Sequence, residues 1–280
     1  MIDTHAHLDF EKFNEDREDV IQRFFQQGGK AIINIGVDLE RGRKSIEIAN
    51  GHEKIFASVG LHPDFFSEQR SVNNERQKLF HNLKKLAKRK KVVAIGECGL
   101  DYYQRSVNSD QGTINTKSKE LQKKGFLAQI EIARELNLPM IVHCREAWDD
   151  LYEIIAQSYN AKLKTENIKF VMHCFSGNQS DTEKFLKLPS VWFSFSGNIT
   201  YPKPAERADK LAEAVRMIPL DKIMLDSDSP FLAPQEFRGE RNEPIFIKYI
   251  AKKIAEIKKI SISEVEKITD ENAEKFFLIV

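Results

Sequence analysis

Met140-Ile-Val-His143 is a short apolar run, rich in β-branched residues, that ends on an imidazole, and Lys169-Phe-Val-Met-His173 repeats the arrangement further along the chain. Working outward from this pair, similar runs occur at Met1 to His5, Ala31 to Gly36, Ile55 to Leu61, Val92 to Glu97, Val191 to Ser196 and Lys222 to Leu225. Longer stretches with helical apolar spacing separate them, which is the pattern of repeated βα units and a parallel sheet. Eight strands close an α/β barrel of the TIM type, usually about 250 residues long. The 280-residue chain is therefore expected to be an α/β protein with a single (β/α)8 barrel domain spanning residues 1–280.

The intervening helices carry their own punctuation. Asp16 to Gln27 runs into Gly28-Gly29, where glycine offers a left-handed cap. Between Lys119 and Leu138, Phe126, Ile130 and Ala133 are expected to share one face with Leu127, and Pro139 to end the segment. A closing helix from Ser261 to Phe277 opens with Ser261 and Glu264 in capping-box spacing. Two stretches break the rhythm. Gln104 to Lys119 is polar and long for a βα loop, and is read as either a lid over the site or an insertion. The basic run Lys84 to Lys91 ends a helix before the fourth strand, on the barrel face opposite an active site, so it is read as complementing a helix dipole rather than binding nucleic acid.

Composition narrows the functional classes. With 41% apolar and 30% charged residues the chain has material for a large core and no reason to be disordered. Forty-three Lys and Arg against 42 Asp and Glu leave a net charge of +1, so any nucleic-acid contact must rest on local charge. No apolar stretch approaches the 18 or so residues of a membrane helix. Asp3, Thr4, His5 and His7 follow the first Met at once, which is unlike a secretory signal. Three cysteines do not make a disulfide framework and point to a reducing compartment, read as the cytoplasm. No membrane association and no obligate protein partner are expected.

Chemistry-bearing residues collect at the strand ends: His5 and His7 at the first, His62 after the third, Glu97 at the fourth, His143 at the fifth, His173 at the sixth and Asp228 after the eighth. Five of the seven histidines thus fall where barrel enzymes keep their active sites. An H-x-H pair on a strand points both rings to one side. Four imidazoles and two carboxylates together suit a pair of divalent ions of the Zn, Mn, Mg or Fe type. Cys98, Cys144 and Cys174 each follow a candidate ligand by one residue, so alternation turns their thiols away from the metal, toward the helix layer or a loop.

Asp3-Thr-His5-Ala-His7-Leu-Asp9, Gly60-Leu-His62-Pro63, Gly96-Glu97-Cys-Gly99-Leu-Asp101-Tyr102, His143-Cys-Arg145-Glu-Ala147, His173-Cys-Phe-Ser-Gly177, Asp226-Ser-Asp228-Ser-Pro230 and Arg241-Asn-Glu-Pro244 together resemble the TatD-like metal-dependent deoxyribonucleases. The resemblance spans nearly the whole chain. It implies a two-metal hydrolytic centre acting on DNA, with His5, His7 and Asp228 on one ion, His143 and His173 on the other, and Glu97 bridging. Two divalent ions about 3.5 to 4 Å apart activate a water and stabilise the attacking and leaving oxygens of a displacement at phosphorus. Asp228 is then the expected general base, and Glu97 sets the ion spacing.

Arg145 and Arg241 carry the fork that matches phosphate oxygens, or else form structural ion pairs. His62 is read as a donor to a phosphate or leaving oxygen, with a supporting role as the alternative. Tyr102 and Tyr103 are read as stacking on a base of a frayed end, or as packing. Two departures from the family stand out: Asp226 where it usually has Glu, and the long 104–119 segment.

The expectation is a divalent-metal-dependent hydrolase (Mg, Mn or Zn) that cleaves DNA phosphodiesters as a 3′-to-5′ exodeoxyribonuclease on single strands or frayed ends, the polarity coming from the resemblance alone. An amidohydrolase-type barrel acting on a small ester, lactone or amide is the first alternative. Such barrels commonly bridge their metals with a carboxylated Lys, and none lies between Val92 and Asp101. A non-catalytic binding barrel is disfavoured because all six candidate ligands are present.

Overall fold

The computed structural model describes residues 1–66, 73–104, 112–160 and 168–279. The strands are β1 (Ile2–Ala6), β2 (Ala31–Gly36), β3 (Ile55–Val59), β4 (Val92–Asp101), β5 (Tyr103–Gln104), β6 (Gly112–Thr113), β7 (Met140–Arg145), β8 (Phe170–Met172), β9 (Val191–Phe195) and β10 (Ile223–Leu225). Eight of them form one parallel sheet in the order β1-β2-β3-β4-β7-β8-β9-β10, while β5 and β6 pair as a small antiparallel hairpin. The sheet closes on itself where His7 N–H donates to the Ser229 carbonyl (2.7 Å) and Asp228 N–H to the His5 carbonyl (2.8 Å). The helices are α1 (Arg17–Gln26), α2 (Leu39–Gly51), α3 (Asn73–Ala87), α4 (Thr116–Leu136), α5 (Trp148–Asn160), α6 (Gln179–Leu186), α7 (Ala205–Met217), α8 (Ile247–Lys258) and α9 (Ile262–Phe277). The architecture is the (β/α)8 barrel that the eight runs imply.

Two apolar layers follow from strand alternation. Val142, Met172 and Leu225 pack outward among the helices. Their neighbours Ile141, Val171 and Met224 join Ile33, Ile35 and Ala94 in a second cluster that also takes in Phe276 and Phe277 of α9. Side chains two residues apart share a face. His143, His173 and Asp226 therefore stand one step further along the strands than Ile141, Val171 and Met224, above an apolar floor.

β4 departs from simple alternation. Ile95 and Cys98 both face the helix layer although three residues apart, and the register against β7 shifts between them. One inserted residue turns Glu97 inward, as a bulge does. Glycine is required here: a Cβ on Gly96 (φ +153°) would lie 2.6 Å from the Ile141 carbonyl oxygen, and one on Gly99 (φ +143°) 2.0 Å from that of His143.

Several element-level expectations change. β4 continues past Glu97 to Asp101, because its pairing with β7 persists beyond the bulge. The polar segment expected as a loop from Gln104 to Lys119 is helical from Thr116, where Asn115 caps α4 by accepting from Ser118 N–H; residues 105–111, on which the lid reading mainly rests, lie outside the described residues. In α4, Phe126, Ile130 and Ala133 are buried, whereas Leu127 is 46% exposed, one position off the core-facing stripe. The helix ends at Asn137 in left-handed conformation, before Pro139 is reached. At the other end of the barrel, Lys84 pairs with Glu135, and Lys91 Nζ donates to the carbonyls of His52, Glu53 and Ile55.

Candidate metal centre and active site

The site begins with β1. Alternation sends the His5 and His7 rings to the same side, where their Nε2 atoms are 3.3 Å apart. Asp228, on the turn after β10, brings Oδ1 to 3.5 Å from His7 Nε2 and 3.9 Å from His5 Nε2. Glu97 Oε2 approaches the same pair, at 3.5 Å from His5 Nε2 and 3.9 Å from His7 Nε2. The other oxygen, Oε1, faces a different set: His143 Nδ1 at 2.8 Å, His173 Nε2 at 3.2 Å and His62 Nε2 at 3.7 Å.

These donors fit a metal centre. An ion with bonds of about 2.0–2.1 Å in tetrahedral geometry puts its donors about 3.3 Å apart, and three overlapping groups approach that spacing: His5, His7 and Glu97; His5, His173 and Asp228; and His62, Glu97 and His143. His173 stands between the two sets, its ring stacked on that of His5 at 3.8 Å. No thiol joins these groups among the described residues. Cys98 and Cys144 are buried among the barrel and helix apolar side chains, and Cys174 Sγ accepts from Asn198 Nδ2.

Electrostatics are those of a site built for cations. Burial favours a neutral Glu97, but the charge of His173 and hydrogen bonds from His143, His173 and His5 outweigh it and hold the carboxyl well below its usual range. Burial lowers the His143 pKa, yet hydrogen bonds to Asp101 and Glu97 prevail and raise it to about 9. His173 is likewise pushed up by Glu97 and Asp226 against its burial. His5 goes down, through burial and the neighbouring charge of His173. Glu97, Asp101 and Asp226 thus draw His143 and His173, though not His5, toward the charged form.

Two carboxylates orient the rings: Asp226, noted in the sequence as a departure from the family pattern, and Asp101, to which the sequence reading gave no role. Asp226 is fully buried. It faces His173 Nδ1 at 3.1 Å while accepting from Ser194 Oγ, Ser196 Oγ and Cys174 N–H. Asp101 lies 3.0 Å from His143 Nε2. Such carboxylate–histidine contacts fix the tautomer and raise ligand basicity. The available signal was spacing: Asp226 is two residues before Asp228, and Asp101 lies beyond Glu97 on the extended β4. The shorter Asp226 side chain keeps a full set of partners here.

The remaining candidates separate. His62 lines the cleft, its ring edge-on to His143 at 4.6 Å. Arg241 is engaged elsewhere: it grips Asp16 through two bonds of 2.7 and 2.6 Å and also reaches the Lys12 carbonyl and Glu243, tying the start of α1 to the segment after β10. Tyr102 is 4% exposed and donates its hydroxyl to Asp150 at 2.6 Å, so its ring offers no open face for a base. Arg145 is exposed and lies over the Tyr103 ring at 3.6 Å.

The cluster opens into a cleft of about 400 Å³ that adds Phe10, Val37, Phe65 and Phe231 as apolar wall and Asp38 and Asp64 as an acidic edge. A roomier groove of about 530 Å³ runs between α1 and α2. Its charges are partly paired already, Lys44 with Glu40 and His52 with Glu18, and it contains none of the donor groups. Chemistry rather than size identifies the site.

Comparison with known proteins places the chain in a family. The sequence profile of TatD related DNases matches residues 2–278. An uncharacterized metal-dependent hydrolase of Bacillus subtilis, YabD, is 35% identical over 279 residues, covering 100% of this chain and 99% of its own. A protein of Escherichia fergusonii named 3'-5' ssDNA/RNA exonuclease TatD is 27% identical, covering 99% of this chain and 98% of its own. Among solved structures, the TatD homologue YJJV of Escherichia coli superposes with a TM-score of 0.84 at 26% identity, covering 100% of this chain and 98% of that one. The chain belongs to the TatD related DNase family and is a metal-dependent hydrolase.

Proposed function

We propose that this hydrolase removes nucleotides from the 3′ ends of single-stranded or frayed DNA, using two divalent ions of the Mg, Mn or Zn type held by His5, His7, Glu97, His143, His173 and Asp228. The observation that carries the reading is the division of Glu97, with Oε2 toward His5 and His7 and Oε1 toward His143 and His173. A carboxylate so divided is what a pair of cations shared across one side chain requires. The similarity to a protein named as a 3'-5' ssDNA/RNA exonuclease supports the bond type and the polarity.

When bound, such ions supply a water of lowered pKa and charge neutralisation for a phosphoryl oxygen. The chain's own residues do the rest. Asp228 is 15% exposed at its side chain and lines the cleft, so its carboxylate is positioned to take a proton from an entering water. His62, 18% exposed, is reachable by a phosphate or leaving oxygen and is the group that would donate to it. Asp226 and Asp101 hold the His173 and His143 rings against rotation. Asp38 and Asp64 make one edge of the cleft acidic. That edge repels a polyanion continuing past the site and favours a strand end over a strand passing through.

The same reading takes residues 1–280 as a single domain, free of obligate protein partners. It places the enzyme in the cytoplasm, in keeping with three free thiols; no helix described is long and apolar enough to cross a membrane.

The test is hydrolysis of an end-labelled single-stranded oligodeoxynucleotide by chelated protein, before and after adding Mg²⁺, Mn²⁺ or Zn²⁺, with Asp228→Asn in parallel. Ladders shortening from the 3′ end, only with metal and only with Asp228 intact, are expected. No cleavage by metal-loaded protein would move the assignment to a small ester or amide substrate.

A further inference from the structure

The proposed chemistry uses the polar floor of the cleft and leaves its aromatic wall without a role. Phe231 lines the cleft and is 40% exposed, one of four such large apolar side chains among the described residues. Its exposure is not slack. Phe231 N–H donates to the Asp228 carbonyl at 2.8 Å, and its own carbonyl accepts from Asn242 Nδ2 at 2.6 Å. The ring is braced by a perpendicular contact with Phe10, centroids 5.4 Å apart at 89°, and the Arg41 guanidinium lies over the Phe10 ring, 3.9 Å from its centroid. A rigidly mounted aromatic face thus lies beside the metal ligands, 6.0 Å from the His7 ring.

Charge near this wall differs from that on the cleft edge after β2 and β3. Lys12 is exposed and sits 5.6 Å from the Phe231 centroid, with no carboxylate partner among the described residues. Asp38 and Asp64 lie on the cleft edge contributed by the segments after β2 and β3. A ligand with a planar π face and an adjacent negative charge matches the Phe231 side and is repelled by the other. A nucleotide has that character, and stacking on an aromatic side chain tolerates any base because every base presents a π face.

We propose that Phe231, braced by Phe10, is the stacking surface for the base of the nucleotide whose phosphate lies over the metal ligands, and that it makes the enzyme select ends that carry a base. The inference rests on the nuclease reading above and names the subsite through which that site would engage its substrate.

The experiment compares two end-labelled single-stranded oligodeoxynucleotides that differ only at the 3′-terminal residue, one with a base and one with a tetrahydrofuran abasic analogue, under metal-loaded conditions. The metal-loaded enzyme should release the base-bearing residue with kcat/KM higher on the order of tenfold, the scale of one base–aromatic stack, and mainly through KM. Phe231→Ala should bring the base-bearing end down to the rate of the abasic end, and Phe231→Trp should restore the preference. Equal rates on the two ends with the unaltered enzyme would overturn this inference while leaving the nuclease assignment standing. Equal loss on both ends in Phe231→Ala would also overturn it, since it would mean that Phe231 only supports the Asp228 turn. Absence of cleavage at either end would overturn both readings together.

Discussion

Five imidazoles, those of His5, His7, His62, His143 and His173, approach within 4 Å of a Glu97 carboxylate that is 4% exposed. Where no ion is bound, protons on His143 and His173 supply positive charge beside that carboxylate. His143, raised to about 9 from an ordinary value near 6.5, has a folded pKa above its unfolded one. Its contribution to stability is fully present below about pH 6.5 and is lost as pH rises through about 9. The melting temperature of chelated protein should therefore fall from pH 6.5 to 9 more steeply than that of a chelated His143→Gln variant; parallel profiles would rule the proton out as the stand-in. Asp226 gives a second test. Asp226→Asn keeps the shape but removes the charge facing His173, and should weaken metal affinity by roughly 10- to 100-fold, measured by titrating chelated protein. Unaltered affinity would reduce Asp226 to a packing role. At this scale the six candidate ligands were legible because H-x-H and strand-end positions force side chains to one point. The roles of Asp101 and Asp226 were not, since Asp226 shows in sequence only as a departure from the family pattern and Asp101 lies four residues past Glu97 on a strand that reads as already ended. Arg241 and Tyr102 show their donors in sequence but not their takers, Asp16 and Asp150, which only folding brings near.

The elements place those residues through one irregular strand. β4 carries the bulge that turns Glu97 inward, and it does so while β7 presses against it closely enough that Gly99 has no room for a side chain. Gly99→Ala would set a Cβ 2.0 Å from a backbone oxygen at a φ of +143°, with no flexible neighbour to yield. The expected cost is large, about 3 kcal/mol or more, read as a shift of the denaturation midpoint. Metal binding should weaken as well, because the oxygen in question belongs to His143. A midpoint within 0.5 kcal/mol or so of the unaltered chain, the range of an ordinary surface change, would show that the strand pair can separate without penalty. The eight strand runs could be read from β-branched clusters, and helix caps such as Ser261, which accepts from Glu264 N–H, from residue type. The continuation of β4 to Asp101 could not, because two glycines in a strand pattern look like its end. Leu127 misled for a simpler reason: next to Phe126 it falls 100° further round the helix, far enough to leave the buried stripe.

Across the whole molecule, charge balance governs how the enzyme meets its substrate. A net charge of +1 over 280 residues gives no long-range pull on a polyanion, and several cations that might form a basic track are already taken. Arg241 is bound by Asp16 and Glu243, Arg41 by Asp9 and Glu11, and Lys84 by Glu135 at the far end of the barrel. Among the described residues, what remains near the cleft is local: exposed Lys12 beside Phe231, exposed Arg145 over Tyr103, and the metal site itself. Each phosphate neutralised on a single strand contributes about −0.7 to the slope of log affinity against log salt. With two or three such contacts, the slope for a single-stranded oligonucleotide bound to metal-loaded Asp228→Asn protein should lie near −2. A slope approaching −7, about ten phosphates, would require a continuous basic groove that the described surface does not offer. It would place substrate capture on a surface away from the cleft rather than on the strand end held between Lys12 and the metal ligands.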